Sequence, residues 1–453
     1  MFSMTTLKEL FRLALPMVVS QGAYALMVFT DRLFMSRIDA THISSALGGG
    51  VTFFVTIALF IGIMAYANAL VAQYQGSGQL EKGPRVVTQG VILALLCQPV
   101  LAVLTWVLAD IFEWMGHAPE QVALERQYYF VLMAGALFTL VKTCLASYFS
   151  GIARTRVVMI SDVAGVLINI PLTYVLVFGK FGLPALGIVG AGLGTVLATA
   201  FTIGVYLLFY LNPIHRARFK VQQSLRFDAG IMRRYVRLGF PSGFELFIGA
   251  GTFNLFLLLF QSYGIDEGAA MAIVFNWDML SYVPLVGLNI AVMSLIGRFV
   301  GAGDMARANQ VISSGFIIAL SYSGVLGLCF ILFSESLMNV FQTPGEDFTA
   351  IRTMGMQMMI GLATYVMADA TILVCTGTLR GAGDTRWLMT ASILIHIAML
   401  LVQVLVIKVL EASPLVSWWV FVLTLIWLAL TYLGRVLRGR WRQPERLARV
   451  MAE

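Results

Sequence analysis

Long apolar runs separated by short polar connections set the pattern of this chain. Residues 45–71, 86–109, 157–178 and 311–333 each run with no charged side chain except Asp162, and each approaches the roughly 20 residues that a helix needs to cross a bilayer. Extending the same reading along the chain predicts helices near 10–35, 46–72, 86–110, 126–149, 157–179, 186–211, 237–262, 270–297, 310–333, 352–378, 387–408 and 414–436. A membrane β-barrel would show ten-residue segments of alternating polarity, and no such alternation is visible. The fold class expected is therefore an all-α polytopic membrane protein of about twelve transmembrane helices.

Composition agrees with this reading. Of the 453 residues 59% are hydrophobic and only 12% charged, more apolar surface than a water-soluble chain of this length can hide. The net charge of +7 would suit a nucleic-acid binder, but the basic residues fall in alternate connections. One set holds Lys8, Arg12, Lys82, Arg85, Arg154, Arg156, the cluster from Arg216 to Arg237, Arg298, Arg307, Arg380, Arg386 and the arginines of the tail; the opposite set holds Arg32, Arg37, Arg126, Lys180, Arg352 and Lys408 among acids such as Asp110, Glu113, Glu120, Asp266, Glu267, Glu335, Glu346 and Asp347. Read by the positive-inside rule, both termini are cytoplasmic and the number of spans is even. The basic excess is then a topology signal, and no nucleic-acid partner is expected. The first apolar run continues past Pro16 without a small-residue cleavage site, so it reads as an uncleaved helix. Cys97, Cys144, Cys329 and Cys375 lie singly within predicted spans and read as apolar fillers.

An internal repeat organises the chain. Arg12-Leu13-Ala14-Leu15-Pro16 recurs as Arg237-Leu238-Gly239-Phe240-Pro241, and at the same displacement Gln73–Gly78 falls on Arg298–Gly303 and Gly90 on Gly315. Ser150–Arg156 likewise matches Arg380–Arg386 at a slightly larger offset. Each half then holds six spans, an even number, so both halves enter the membrane in the same sense and form two six-helix lobes related by a parallel, pseudo-two-fold repeat. The domains expected are an N-terminal lobe over 1–211, a basic cytoplasmic linker over 212–236, and a C-terminal lobe with a basic tail over 237–453.

Acids inside spans are costly unless they face a cavity and act there. Five are predicted: Asp31, Asp162, Glu245, Asp278 and Asp369. At about 1.5 Å of rise per residue, Glu245 lies about 12 Å above Arg237 and Asp369 about 16 Å above Arg380, so the two are expected to share one cavity in the C-terminal lobe. Tyr365 precedes Asp369 by four residues, on the same helix face. In the N-terminal lobe Asp31 lies roughly 29 Å above Arg12, Asn169 about 20 Å above Arg156 and Thr195 about 26 Å above Asn212, a second candidate polar cluster.

With these residues the chain resembles the multidrug and toxic compound extrusion (MATE) transporters, and within them the bacterial NorM-like branch. The resemblance covers nearly the whole chain and rests on the Leu-Ala-Leu-Pro opening at 13–16, Asp31 at the end of span one, the glycine-rich loops at 76–78 and 301–303, the loop Leu379–Arg386, and Leu167-Ile168-Asn169 in span five. It implies two lobes in a V, exporting cationic or polyaromatic compounds in exchange for Na⁺ or H⁺. It also implies that Glu245 and Asp369, with Tyr365, hold the coupling cation or proton of the C-terminal lobe and are candidate sodium ligands, and that Asp31, Asn169 and Thr195 do the same in the N-terminal lobe. One departure is Thr173, where some relatives carry an acid.

The remaining features have simpler readings. Gly301–Asp304 and Gly381–Asp384 follow no strand and read as tight turns with Asp304 and Asp384 at helix starts, not as phosphate loops. Asp162 reads as an interfacial cap or ion-pair partner, Asp278 as a further candidate for the cavity wall, and His396 as an interhelical hydrogen-bond donor. The alternative function is a flippase for lipid-linked oligosaccharide or polysaccharide, which would favour arginines in the cavity; only Lys142 is a buried base. No nucleophile with a neighbouring base and no metal cluster suggests an enzyme. The expected partners are small organic substrates, the coupling cation and the lipid bilayer, with no other cofactor. The protein is expected to be a monomer in the bacterial inner membrane.

Overall fold

The computed structural model describes residues 3–342 and 348–452; Glu346 and Asp347 of the sequence reading lie outside the described residues. Among those described, eleven helices are long and apolar enough to cross a membrane, and one bent pair supplies a twelfth. In chain order they are α1 (Met4–Ser36), α2 (Ala40–Ala65, continued as Ala67–Gly76), α3 (Lys82–Leu108), α4 (Pro119–Ala134 and Ala136–Gly151), α5 (Thr155–Phe178), α6 (Gly187–Tyr210), α7 (Ala229–Gln261), α8 (Ile265–Gly301), α9 (Met305–Leu332), α10 (Thr349–Gly381), α11 (Thr385–Val404) and α12 (Pro414–Leu437). No strand occurs among the described residues. Helices are the open-chain answer to a solvent that cannot hydrogen-bond a bare backbone.

The chain divides into two compact units. The first is Val19–Phe247 with residues 301–303 and the last two residues; the second comprises the N-terminal segment to Val18, Ile248–Val300 and Asp304–Met451. Within each, close packing rests on small residues, as expected where apolar lipid offers helices no hydrophobic reason to associate. In the first unit a Cβ on Gly190 would lie 2.6 Å from the Leu176 carbonyl, and Gly194 and Gly165 of the neighbouring helices are similarly filled by Thr173 and Thr202. Gly62 of α2 faces Gly243 of α7, at 2.5 Å for a Cβ on the former. The 49° bend in α4 falls at Gly135, where an added Cβ would be 2.9 Å from Val196 Cγ1. A close crossing at a glycine thus locates this bend, with no proline involved.

In the second unit α10 and α8 are the most buried of the apolar helices. Gly377 and Gly381 of α10 would place a Cβ 2.9 and 2.7 Å from the carbonyls of Asn289 and Met293 in α8. The start of α1 is fastened here too. A Cβ on Gly287 would lie 2.6 Å from the Val18 backbone nitrogen, Thr6 Oγ1 donates to Gln310 at 2.9 Å, and Arg298 pairs with Glu9 at 3.3 Å.

Four turns repeat one geometry. After α2, α4, α8 and α10 the chain closes with an N–H to a carbonyl five residues earlier: Gln79 to Tyr74 at 2.9 Å, Arg154 to Phe149 at 2.8 Å, Asp304 to Phe299 at 2.9 Å and Asp384 to Leu379 at 2.8 Å. This is the Schellman closure, which wants a left-handed residue just past the helix. Gly78, Gly303 and Gly383 supply it at φ of 80°, 72° and 80°, while the fourth turn places Ala153 there at 59°.

Both aspartates read as helix starts occupy those positions, but they act differently. Asp304 caps α9 by accepting from the Arg307 N–H at 3.0 Å. Asp384 accepts no cap bond; its buried carboxylate is held by Arg435 at 2.8 Å and by Arg446.

Candidate functional site

In the first unit, Asp31 of α1 and Thr195 of α6 meet: the threonine hydroxyl donates to Asp31 Oδ2 at 2.9 Å. Asp31 is 7% exposed, and its other oxygen is buried without a hydrogen-bond partner. Asn169 and Thr173 lie one turn apart on the same face of α5, both buried, and neither the Asn169 amide nor the Thr173 hydroxyl has a partner. Thr173 packs against Gly194, the residue before Thr195. Unpaired polar atoms buried in apolar surroundings are costly. A carboxylate oxygen, an amide oxygen and hydroxyls are the hard donors that suit a monovalent cation, and a bare carboxylate oxygen also suits a proton.

In the second unit, Asp369 and Tyr365 of α10 are buried, and Asp278 of α8, half-buried, lies near both. The Tyr365 hydroxyl faces Asp278 without closing a hydrogen bond, and Asp278 Oδ1 also lacks a partner. An aromatic wall fixes this group: the Tyr365 ring centroid lies 5.9 Å from Trp418 and 5.7 Å from Phe421. Two carboxylates in one low-dielectric pocket resist joint ionisation, so such a pair holds a shared proton or attracts a cation.

Glu245, expected beside Asp369, is buried on α7 four residues past Pro241 and belongs to the first unit. Within the second unit it is Asp278 that Asp369 meets. Asp162, read as a cap or ion-pair partner, pairs with Lys142 at 3.4 Å. Nδ1 of His396, read as an interhelical donor, lies 2.8 Å from the Ser392 carbonyl one turn back on its own helix.

Two buried groups were missed. Glu125, just before the predicted fourth span, is fully buried, held by His117 at 2.9 Å and Gln121 at 3.1 Å. Gly48 and Gly49 on α2 leave it room, so a glycine pair was the only sequence signal. His215, on the short helix Pro213–Phe219, is buried where Tyr148 and Arg154 reach its two ring nitrogens at 3.0 and 3.3 Å. Burial, with the Arg154 and Arg218 charges, holds its imidazole down at about 4, so the ring is neutral. Since Arg154 can only donate, Nδ1 accepts and Nε2–H donates to Tyr148. Among the described residues no group of three or more His, Cys, Asp or Glu is placed to hold a metal ion.

Comparison with known proteins adds to this geometry. The chain is 28% identical to a probable multidrug resistance protein NorM of Pseudomonas putida over 84% of its own length and 83% of that protein's. It is 27% identical to a multidrug resistance protein MdtK of Yersinia pseudotuberculosis over 84% and 82%. Among solved structures, a MOP superfamily transporter from Pyrococcus furiosus superposes with a TM-score of 0.85 at 18% identity, covering 99% of this chain and 97% of that one. The eukaryotic MATE transporter AtDTX14 does so at 0.84 and 19%, covering 99% of both. The MatE family profile matches twice, over residues 16–175 and 241–405, starts that repeat the Pro16-to-Pro241 displacement seen in the sequence. This chain is a multi-pass membrane protein that belongs to the MatE family of transporters.

Proposed function

We propose that this protein is a secondary antiporter that exports organic compounds, drugs among them, across the bacterial cytoplasmic membrane in exchange for H⁺ or Na⁺. The observation that carries the reading is that each unit encloses a carboxylate oxygen left unpaired, on Asp31 in one and on Asp278 near Asp369 in the other. Charged groups in a span without a structural partner are functional by default. The names of the curated relatives, multidrug resistance proteins, support the substrate class.

Coupling follows from competition. A proton or sodium ion entering from outside neutralises the carboxylates and changes the packing of the helices that carry them, which lowers affinity for a cationic substrate. Substrate entering from inside reverses the exchange, and transport is coupled because each ligand discriminates between the two states. Asp31 with Asn169 and Thr195 forms one station; Asp369 with Tyr365 and Asp278 forms the other, and Glu245 serves the same cycle. Both termini are cytoplasmic, the N-terminal and C-terminal lobes are joined by the basic segment over 212–236, and a single chain supplies both units, so it works as a monomer. No enzymatic step is involved. A flippase reading loses the cavity base that the sequence offered it, because Lys142 pairs with Asp162.

The test uses purified protein in liposomes with an imposed pH or Na⁺ gradient and a fluorescent organic cation as cargo. Gradient-driven uptake into inverted vesicles is expected. Absence of cargo movement under either gradient, with protein inserted and folded, overturns the proposal.

A further inference from the structure

The first unit holds a second intramembrane acid whose design is the opposite of Asp31. Where Asp31 has one donor and one bare oxygen, Asp162 on α5 is saturated by three. Ser20 of α1 donates to Oδ2, Tyr206 of α6 donates to Oδ1 at 3.1 Å, and Lys142 of α4 places its ammonium 3.4 Å from the same oxygen. Four helices converge on one carboxylate. Its side chain is 12% exposed and that of Lys142 is 24% exposed.

A buried ion pair is weak evidence for stability, since apolar residues of similar size hold helices together at least as well. What the pair does accomplish is electrostatic. A primary ammonium is a compact monovalent cation on a flexible stem. Here it pairs with a carboxylate that also gathers two hydroxyls, oxygen groups that a free monovalent cation would take.

We propose that Lys142 is a tethered cation that fills a monovalent-cation site formed by Asp162, Ser20 and Tyr206. The site is thereby closed to Na⁺, and an exchangeable ion is left the other carboxylates of this unit, Asp31 among them. This goes beyond the antiport reading and does not depend on it, because the site is defined by binding and not by transport.

Removing the tethered charge should open the site. Full-length protein is purified in detergent, and bound ²²Na⁺ is counted at constant ionic strength with choline as the replacement cation. Lys142→Met is expected to bind one more Na⁺ per chain than the unchanged protein, with a Na⁺-dependent rise in melting temperature that the unchanged protein shows to a smaller extent. Lys142→Arg, which keeps a charge in place, should show no gain, and Lys142→Met combined with Asp162→Asn should abolish it. Should Lys142→Met fail to fold, Lys142→Gln carries the same expectation, since its amide still donates to Asp162 but brings no charge. A folded Lys142→Met or Lys142→Gln protein that binds Na⁺ as the unchanged protein does, at saturating Na⁺, overturns the proposal. So does a gain that survives Asp162→Asn.

Discussion

Thr195 donates to Oδ2 of Asp31 at 2.9 Å, and the other carboxylate oxygen of Asp31 is left buried without a partner. A carboxylate supported on one side and open on the other is built to exchange something at the open side. Asp31→Asn is expected to abolish gradient-driven export at normal expression. Thr195→Ala removes one hydrogen bond to a charged group, worth roughly 2 kcal/mol, and should weaken coupling-ion affinity by about tenfold or more while leaving residual transport. Vesicle efflux against increasing coupling-ion concentration separates the two, and full export by Asp31→Asn would remove this residue from the cycle.

The turn after α4 places an alanine where its three counterparts have glycine. Ala153 sits at φ 59°, a conformation that costs a residue with a Cβ about 1–2 kcal/mol. Gly in its place loses part of that gain to its more flexible unfolded state, so Ala153→Gly is expected to raise the melting temperature modestly, without changing transport. A fall in melting temperature would show that the turn is held by something other than backbone preference.

How much of this was legible in the sequence depends on which physical rule fixed each feature. Bilayer thickness fixes span length, so the apolar runs located the helices, and the displacement from Pro16 to Pro241 gave the repeat. The bend at Gly135 falls at a close crossing with another helix, which no single segment reveals. The same holds for partners. Depth along a helix can be counted, but which side chains face Asp369 within its unit depends on the rotation of α8 and α10, so counting left Asp278 as wall. Lys142 and Asp162 are twenty residues apart with a turn between them, and Glu125 read as loop because its burial depends on Gly48 and Gly49 of another helix.

Topology is open to direct labelling in a background without the four native cysteines. Single cysteines at 80 and 225 are expected to react with an impermeant reagent only from the cytoplasm, and one at 118 only from outside. Ala118 and Leu225 are exposed and Leu80 is partly exposed, so all three sites suit labelling. Same-side labelling of 80 and 118 would break the even span count.

His215 gives the protein an acid-sensitive contact outside the membrane. Its imidazole ionises at about 4 in the fold because burial and the Arg154 and Arg218 charges oppose protonation, against about 6.5 in an unfolded chain. A depressed value means that the stabilisation is present above the unfolded value and is lost as pH falls toward the folded one, because the unfolded state takes up the proton first. Melting temperature is therefore expected to fall as pH drops from about 6.5 toward about 4. His215→Gln should flatten that slope even if it lowers stability at neutral pH. An unchanged slope would assign the acid sensitivity to other groups.

The sharpest prediction concerns Asp278 and Asp369. Asp369 is buried in the second unit, Asp278 is half-buried beside it with its Oδ1 enclosed and unpaired, and the Tyr365 hydroxyl faces Asp278 without a closed hydrogen bond. Two carboxylates that share a proton or a cation act as a single device, so removing either should remove the function, and removing both should cost little more. Asp369→Asn and Asp278→Asn are each expected to abolish gradient-driven efflux in folded, inserted protein, and the double variant to match either single one. Tyr365→Phe removes a hydroxyl that is not yet paired, and it should lower the rate severalfold without abolishing exchange. Glu245→Gln is expected to abolish efflux as well, but its role is separable. If Asp278→Asn exports at the unchanged rate while Asp369→Asn does not, Asp369 acts without Asp278, and Asp278 is part of the pocket wall.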